Sequence, residues 1–197
     1  VTFSNSSTGG VLDYKWNFDD GQTYSTKLKD DFDHTFVNRG STDRPFQVAL
    51  TATNANGCSE VHNETIIVHP KVEADFSFTY DDPPCTPFNV AIVNSSLNGS
   101  TFDWNFGEAL FWEDNITTLK ANPEFDITLD NPTDNAIGNY SISVHASTFH
   151  ALSGLTCEDS KTLPFGEVYP RIVANFGVDV DEGCNSLDVQ FTNSSTG

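Results

Sequence analysis

The chain has 197 residues, with 9 Lys and Arg against 28 Asp and Glu, giving a formal net charge of −19. Binding nucleic acid through its phosphates, or docking on anionic lipid, needs clustered cations, so neither partner is expected. No apolar run approaches the roughly 20 residues needed to span a bilayer, so no membrane insertion by this stretch is expected either.

The acidity does not imply disorder. Aromatic residues make up 12% of the chain, including 16 Phe and 3 Trp, which are anchors that disordered acidic chains lack. The scarcity of Lys and Arg, with abundant Asn, Ser and Thr, fits an exported protein. The absence of methionine leads us to expect a mature or excised piece of something longer.

Taken in chain order, the elements repeat. The opening Val1-Thr2-Phe3-Ser4-Asn5-Ser6-Ser7-Thr8-Gly9 returns as Val189-Gln190-Phe191-Thr192-Asn193-Ser194-Ser195-Thr196-Gly197, identical at seven of nine positions. A weaker copy runs from Ala91 to Gly99, so the Asn-Ser-Ser units stand 89 and then 99 residues apart. Next, Tyr14-Lys15-Trp16-Asn17-Phe18-Asp19-Asp20-Gly21 matches Phe102-Asp103-Trp104-Asn105-Phe106-Gly107-Glu108. Phe46, Val48, Leu50 and Ala52 alternate with more polar positions, as do Tyr140, Ile142, Val144 and Ala146, and this period of two marks half-buried strands. Thr65 to Val68 and Phe76 to Phe78 are also β-rich. Pro70 to Phe76 matches Pro170 to Phe176. Asp20-Gly21, Asn56-Gly57 and Asn98-Gly99 are turn signals.

No long helical face occurs. A period of 90 to 100 residues exceeds that of solenoids and suits tandem domains. Short strands with regular turns predict an all-β chain of antiparallel β-sandwiches. The phase of the repeat places a first domain at 1–70 lacking its first strand, and a second at 71–172. The first two strands of a third follow at 173–197. That partial copy is expected either to fray or to lend a strand to an open edge.

Trp16-Asn17-Phe18-Asp19-Asp20-Gly21, followed by Asp33-His34-Thr35-Phe36 and by Val48 to Asn54, resembles the PKD (polycystic kidney disease) domain. The resemblance implies tandem immunoglobulin-like β-sandwiches placed end to end. The second copy is degenerate, losing the closing Gly and carrying an insertion near 107–135 that contains Phe111 and Trp112. The style of repeat is also similar to the ectodomains of large Bacteroidetes surface proteins, in particular gliding-motility adhesins of the SprB type exported by type IX secretion.

This resemblance implies a non-enzymatic, extracellular stalk on the bacterial cell surface. Its expected partners are adjacent repeats of the same chain, surface polysaccharide, and the motility or secretion machinery. The rival reading is a glycan-binding accessory module of a secreted polysaccharide-degrading enzyme.

The candidate site residues are few. Trp16, Phe18, Trp104 and Phe106 either stack on sugars or fill cores, and core packing is the expectation. Phe111 and Trp112 are the better candidates for glycan stacking. Asp19 and Asp20, near Asp30, Asp31 and Asp33, and Asp179 and Asp181, beside Glu182, are candidate Ca²⁺ ligands. Neither group follows the Asp-x-Asp-x-Asp-Gly spacing, and a solvated acidic surface is the competing reading. His34 is expected to make a structural hydrogen bond. Asn5, Asn63, Asn94, Asn98, Asn115, Asn139 and Asn193 begin Asn-x-Ser/Thr sequons, read here as turn and strand-end chemistry. No catalytic residue is identified.

Cys58, Cys85, Cys157 and Cys184 are disulfide candidates that admit three pairings. In a sandwich of the type the resemblance implies, Cys58 and Cys157 fall in the loop before the last strand. Cys85 and Cys184 fall between the first two strands, at the opposite pole. Cys85 and Cys157 are then expected to lie beyond bridging distance. Each cysteine of the first kind is expected to pair with one of the second kind in the preceding repeat.

Overall fold

The computed structural model describes residues 1–80, 84–107, 116–119, 124–131, 133 and 135–196. Its regular elements are all strands, and no helix occurs among the described residues. Two compact units result, Val1–Lys71 and Val72–Gly197.

In the first unit the strands are β1 (Thr2–Phe3), β2 (Val11–Asn17), β3 (Thr23–Thr26), β4 (Phe32–Asp33), β5 (Arg44–Asn54) and β6 (Ser59–Val68). They form a four-stranded antiparallel sheet, β3-β2-β5-β6, and a two-stranded ladder, β1-β4. Alternation along β5 turns Phe46, Val48 and Leu50 inward, as the sequence predicts. The core gathers Tyr14, Trp16, Phe18, Val48 and Leu50, with Phe3, Phe32 and Phe36 packed against them. Phe3 stacks on Phe32 at 5.6 Å and meets Trp16 edge-on at 5.4 Å, tying the small ladder to the large sheet.

The second unit is fuller. Its strands are β7 (Phe76–Tyr80), β8 (Phe88–Asn94), β9 (Thr101–Asn105), β10 (Ile116–Leu119), β11 (Glu124–Leu129), β12 (Ile137–His150) and β13 (Leu155–Val168). The sheets are β11-β8-β7 and β10-β9-β12-β13. Phe76, Val90, Ile92, Ile127 and Leu129 from the first close on Phe102, Trp104, Ile142, Val144 and Phe165 from the second. This is one core between two sheets, as in a β-sandwich. The stretch that reads as an insertion near 107–135 contains β10 and β11. These pair with β9 and β8 as β3 and β4 pair with β2 and β1.

Last come β14 (Phe176–Val178) and β15 (Phe191–Asn193), an antiparallel hairpin. Its register repeats that of β7 on β8: Phe176 faces Asn193 as Phe76 faces Asn94, and Val178 faces Phe191 as Phe78 faces Ile92.

Candidate functional site

The acidic turn after β2 is built locally. Asp19 sits at φ 60° and Gly21 at φ 89°, so the chain reverses within the Asp-Asp-Gly run. Asn17 Oδ1 accepts the Asp19 amide at 3.1 Å. Asp19 Oδ2 accepts the Gln47 amide at 3.1 Å, and Asp20 Oδ1 the Gln22 amide at 2.9 Å. Asp20 Oδ2 lies 2.8 Å from His34 Nε2, and the His34 ring stacks on Phe18 at 3.8 Å with 9° between the planes. Desolvation works to raise the Asp20 pKa. The His34 hydrogen bond, the Gln22 amide and the His34 charge nevertheless hold it below the usual carboxylate value.

The carboxylates therefore brace the fold. Asp33 Oδ1 accepts the Thr2 hydroxyl at 2.6 Å, and Asp179 Oδ1 accepts the Gln190 amide at 2.8 Å, while Asp181 is exposed. Among the described residues, neither acidic stretch brings three ligand atoms together.

Trp16 and Trp104 are 6% and 0% exposed and belong to the two cores, which removes them as a sugar platform. Phe111 and Trp112 lie outside the described residues. The outer face of each four-stranded sheet carries an open groove. One of about 450 Å³ runs beside Asp13, Lys15, Ser25 and Lys27, and one of about 510 Å³ beside Asp103, Asn105, His145 and Ser160.

The Asn-Ser-Ser repeats share a turn contact of the kind their Asn residues predict, and two of them add a clamp beyond it. Asn5, Asn94 and Asn193 each accept, through Oδ1, the amide of the serine two residues on, at 3.0, 3.1 and 3.0 Å. Ser96 Oγ then holds both backbone groups of Asp75, and Ser195 Oγ both of Asn175. The paired recurrence of Ala-Asp/Asn-Phe with Asn-Ser-Ser was the signal available in the sequence.

The four cysteines are free. Cys58 follows the tight turn between β5 and β6, where Asn54 Oδ1 accepts its amide at 3.1 Å. Cys157 is not in a loop: β12 and β13 extend past it, and it lies within β13 opposite Thr148. Cys85 forms a bridge with Tyr169, beyond the far end of β13. Twelve residues of nearly continuous strand separate Cys157 from Tyr169, roughly 35–40 Å at about 3.3 Å per residue. A disulfide needs Cα atoms within about 7 Å, so Cys85 and Cys157 do not bridge in this fold. Cys184 is exposed between β14 and β15.

A family model described as the PKD domain matches residues 1–68. No curated protein and no solved structure matches the chain. PKD domains are non-catalytic, immunoglobulin-like and typically extracellular, so the match points to a module of the structural or adhesion type. No helix among the described residues is long and apolar enough to cross a membrane.

Proposed function

We propose that the chain is a run of spacer repeats, 1–70, 71–172 and 173–197, from the stalk of an exported cell-surface adhesin. The stalk holds a distal adhesive region away from the cell and serves surface adhesion and gliding. Its partners are the neighbouring repeats, with surface polysaccharide and the motility or secretion machinery engaged elsewhere on the full protein. The observation that carries this reading is architectural repetition. The sheet order β3-β2-β5-β6 recurs as β10-β9-β12-β13, and the Ser96 clamp recurs at Ser195. Repeats of this kind add length without a new fold, and a surplus of negative charge keeps neighbouring stalks apart.

Antibodies against this chain, applied to intact cells of the source organism, test the reading. Labelling of unbroken cells, and loss of attachment when the repeats are deleted, are expected. Labelling only after lysis overturns it. Strong binding of the isolated chain to a polysaccharide would point instead to a glycan-binding module of a secreted enzyme.

A further inference from the structure

Three turns of the chain set a glycine directly after an acid or an amide: Asp20-Gly21, Asn56-Gly57 and Asn98-Gly99. Such a pair carries its own reaction. The glycine nitrogen, unhindered by a Cβ, attacks the side-chain carbonyl of the residue before it. The fold decides which of the three is free to do so.

Two of them are held. Asp20 Oδ1 accepts the Gln22 amide and Asp20 Oδ2 lies 2.8 Å from His34 Nε2, so both carboxylate oxygens are engaged. Asn98 sits at φ 59°, and its carbonyl accepts the Thr148 hydroxyl at 2.7 Å. On the other side of Gly99 the Ser100 amide donates to the Ser147 carbonyl at 2.8 Å. Gly99 itself is buried, and a Cβ there would lie 2.8 Å from the Phe102 ring. Its nitrogen does not reach the Asn98 side chain without lifting this turn off β12.

The turn between β5 and β6 is held by Asn54 alone. The Gly57 amide donates to the Asn54 carbonyl at 3.0 Å, and the Asn56 and Cys58 amides donate to Asn54 Oδ1 at 2.9 and 3.1 Å. Ala55, Asn56, Gly57 and Cys58 are exposed, and a Cβ on Gly57 would meet nothing within 4 Å. The Asn56 carboxamide makes no hydrogen bond among the described residues. For Gly57 to attack, one exposed hydrogen bond must open, and exposed turn bonds open at little cost.

We propose that Asn56 is a site of spontaneous deamidation, and that the fold confines the reaction to it among these three pairs. The Gly57 nitrogen attacks Asn56 Cγ. Its proton passes through solvent to the carboxamide nitrogen, which leaves as ammonia, and a cyclic imide joins the two residues. Water then opens the imide. Cleavage at Cγ gives aspartate. Cleavage at the main-chain carbonyl gives isoaspartate, whose main chain runs through Cβ and Cγ. Either product puts a new carboxylate in the turn before Cys58. Isoaspartate also lengthens the turn, which draws the Gly57 and Cys58 amides away from Asn54.

Ageing the full chain under reducing conditions at mildly alkaline pH tests this. The readouts are peptide mapping by mass and labelling by an isoaspartyl-specific methyltransferase. Aspartate and isoaspartate are expected at Asn56 at a rate at least about tenfold above that at Asn98, with no isoaspartate at Asp20. In urea the grip of the fold is lost, so Asn56 and Asn98 are expected to react at similar rates. Asn56→Gln leaves the turn bonds to Asn54 in place and is expected to abolish the isoaspartyl label at this turn. A rate at Asn98 or Asp20 that matches Asn56 in the folded chain overturns the proposal. So does a folded chain that stays intact at Asn56 while urea releases the reaction there, which would mean that Asn54 holds the Gly57 amide out of reach.

Discussion

Ser96 holds Asp75 by both backbone groups: its Oγ accepts the Asp75 amide at 3.0 Å and donates to the Asp75 carbonyl at 3.1 Å. The contact spans 21 residues and fixes where the chain enters β7. Ser96→Ala leaves a partly buried amide and carbonyl without this partner, so we expect a loss of about 1–2 kcal/mol in urea unfolding. Ser195→Ala breaks the same clamp in an exposed hairpin. Its expected effect is faster amide exchange at Asn175 with the global midpoint unchanged.

Asp20 makes the first unit sensitive to acid. Its folded pKa lies below the ordinary 3.8, so the unfolded chain takes up the proton first as pH falls. Asp20 therefore contributes its full stability above about pH 4, and the contribution is lost as pH falls through the depressed folded value. Asp20→Asn is expected to flatten the acid limb of thermal unfolding below about pH 4. An unchanged acid limb would count against the His34 contact as its source.

The core of the second unit contains polar atoms without partners. Trp104 Nε1 and the Tyr140 hydroxyl are buried with no hydrogen bond among the described residues, and burial pushes the Tyr140 phenol well above its ordinary pKa. Tyr140→Phe removes a desolvated hydroxyl and keeps the ring, so we expect it to be neutral or stabilising by up to about 1 kcal/mol. Trp104→Ala leaves a void and is expected to cost about 3–5 kcal/mol. Calorimetry of both variants checks the contrast.

Gly107, two residues past the end of β9, sits at φ 82°, and an added Cβ would lie 2.9 Å from Tyr140 Cε2. Gly107→Ala combines left-handed strain with a clash against a buried ring. We expect a loss of at least about 1 kcal/mol, measured by denaturant midpoint.

Oxidation of the isolated chain is expected to yield no Cys85–Cys157 peptide in a non-reducing digest, because nearly the whole length of β13 separates the two positions. A dominant Cys85–Cys157 product would mean that the second unit opens before it oxidises.

Much of this was legible in the residues. Period-two alternation at Phe46 to Ala52 and at Tyr140 to Ala146 marks strands, because inward positions of a half-buried sheet must be apolar. The Asp-Gly and Asn-Gly pairs mark reversals, because positive φ is cheap for those residues. Strand existence, strand faces and the repeat are local properties, and a single chain displays them. Partnership is not local. Only the folded chain shows that the Asp19 and Asp20 carboxylates are engaged by Gln47, Gln22 and His34. Only the fold places β10 and β11 inside a stretch that reads as an insertion. Tertiary structure decided which groups meet, because hydrogen-bond ladders and buried faces are properties of pairs. It closes Ser96 on Asp75 across 21 residues and sets Asp20 against His34 across 14.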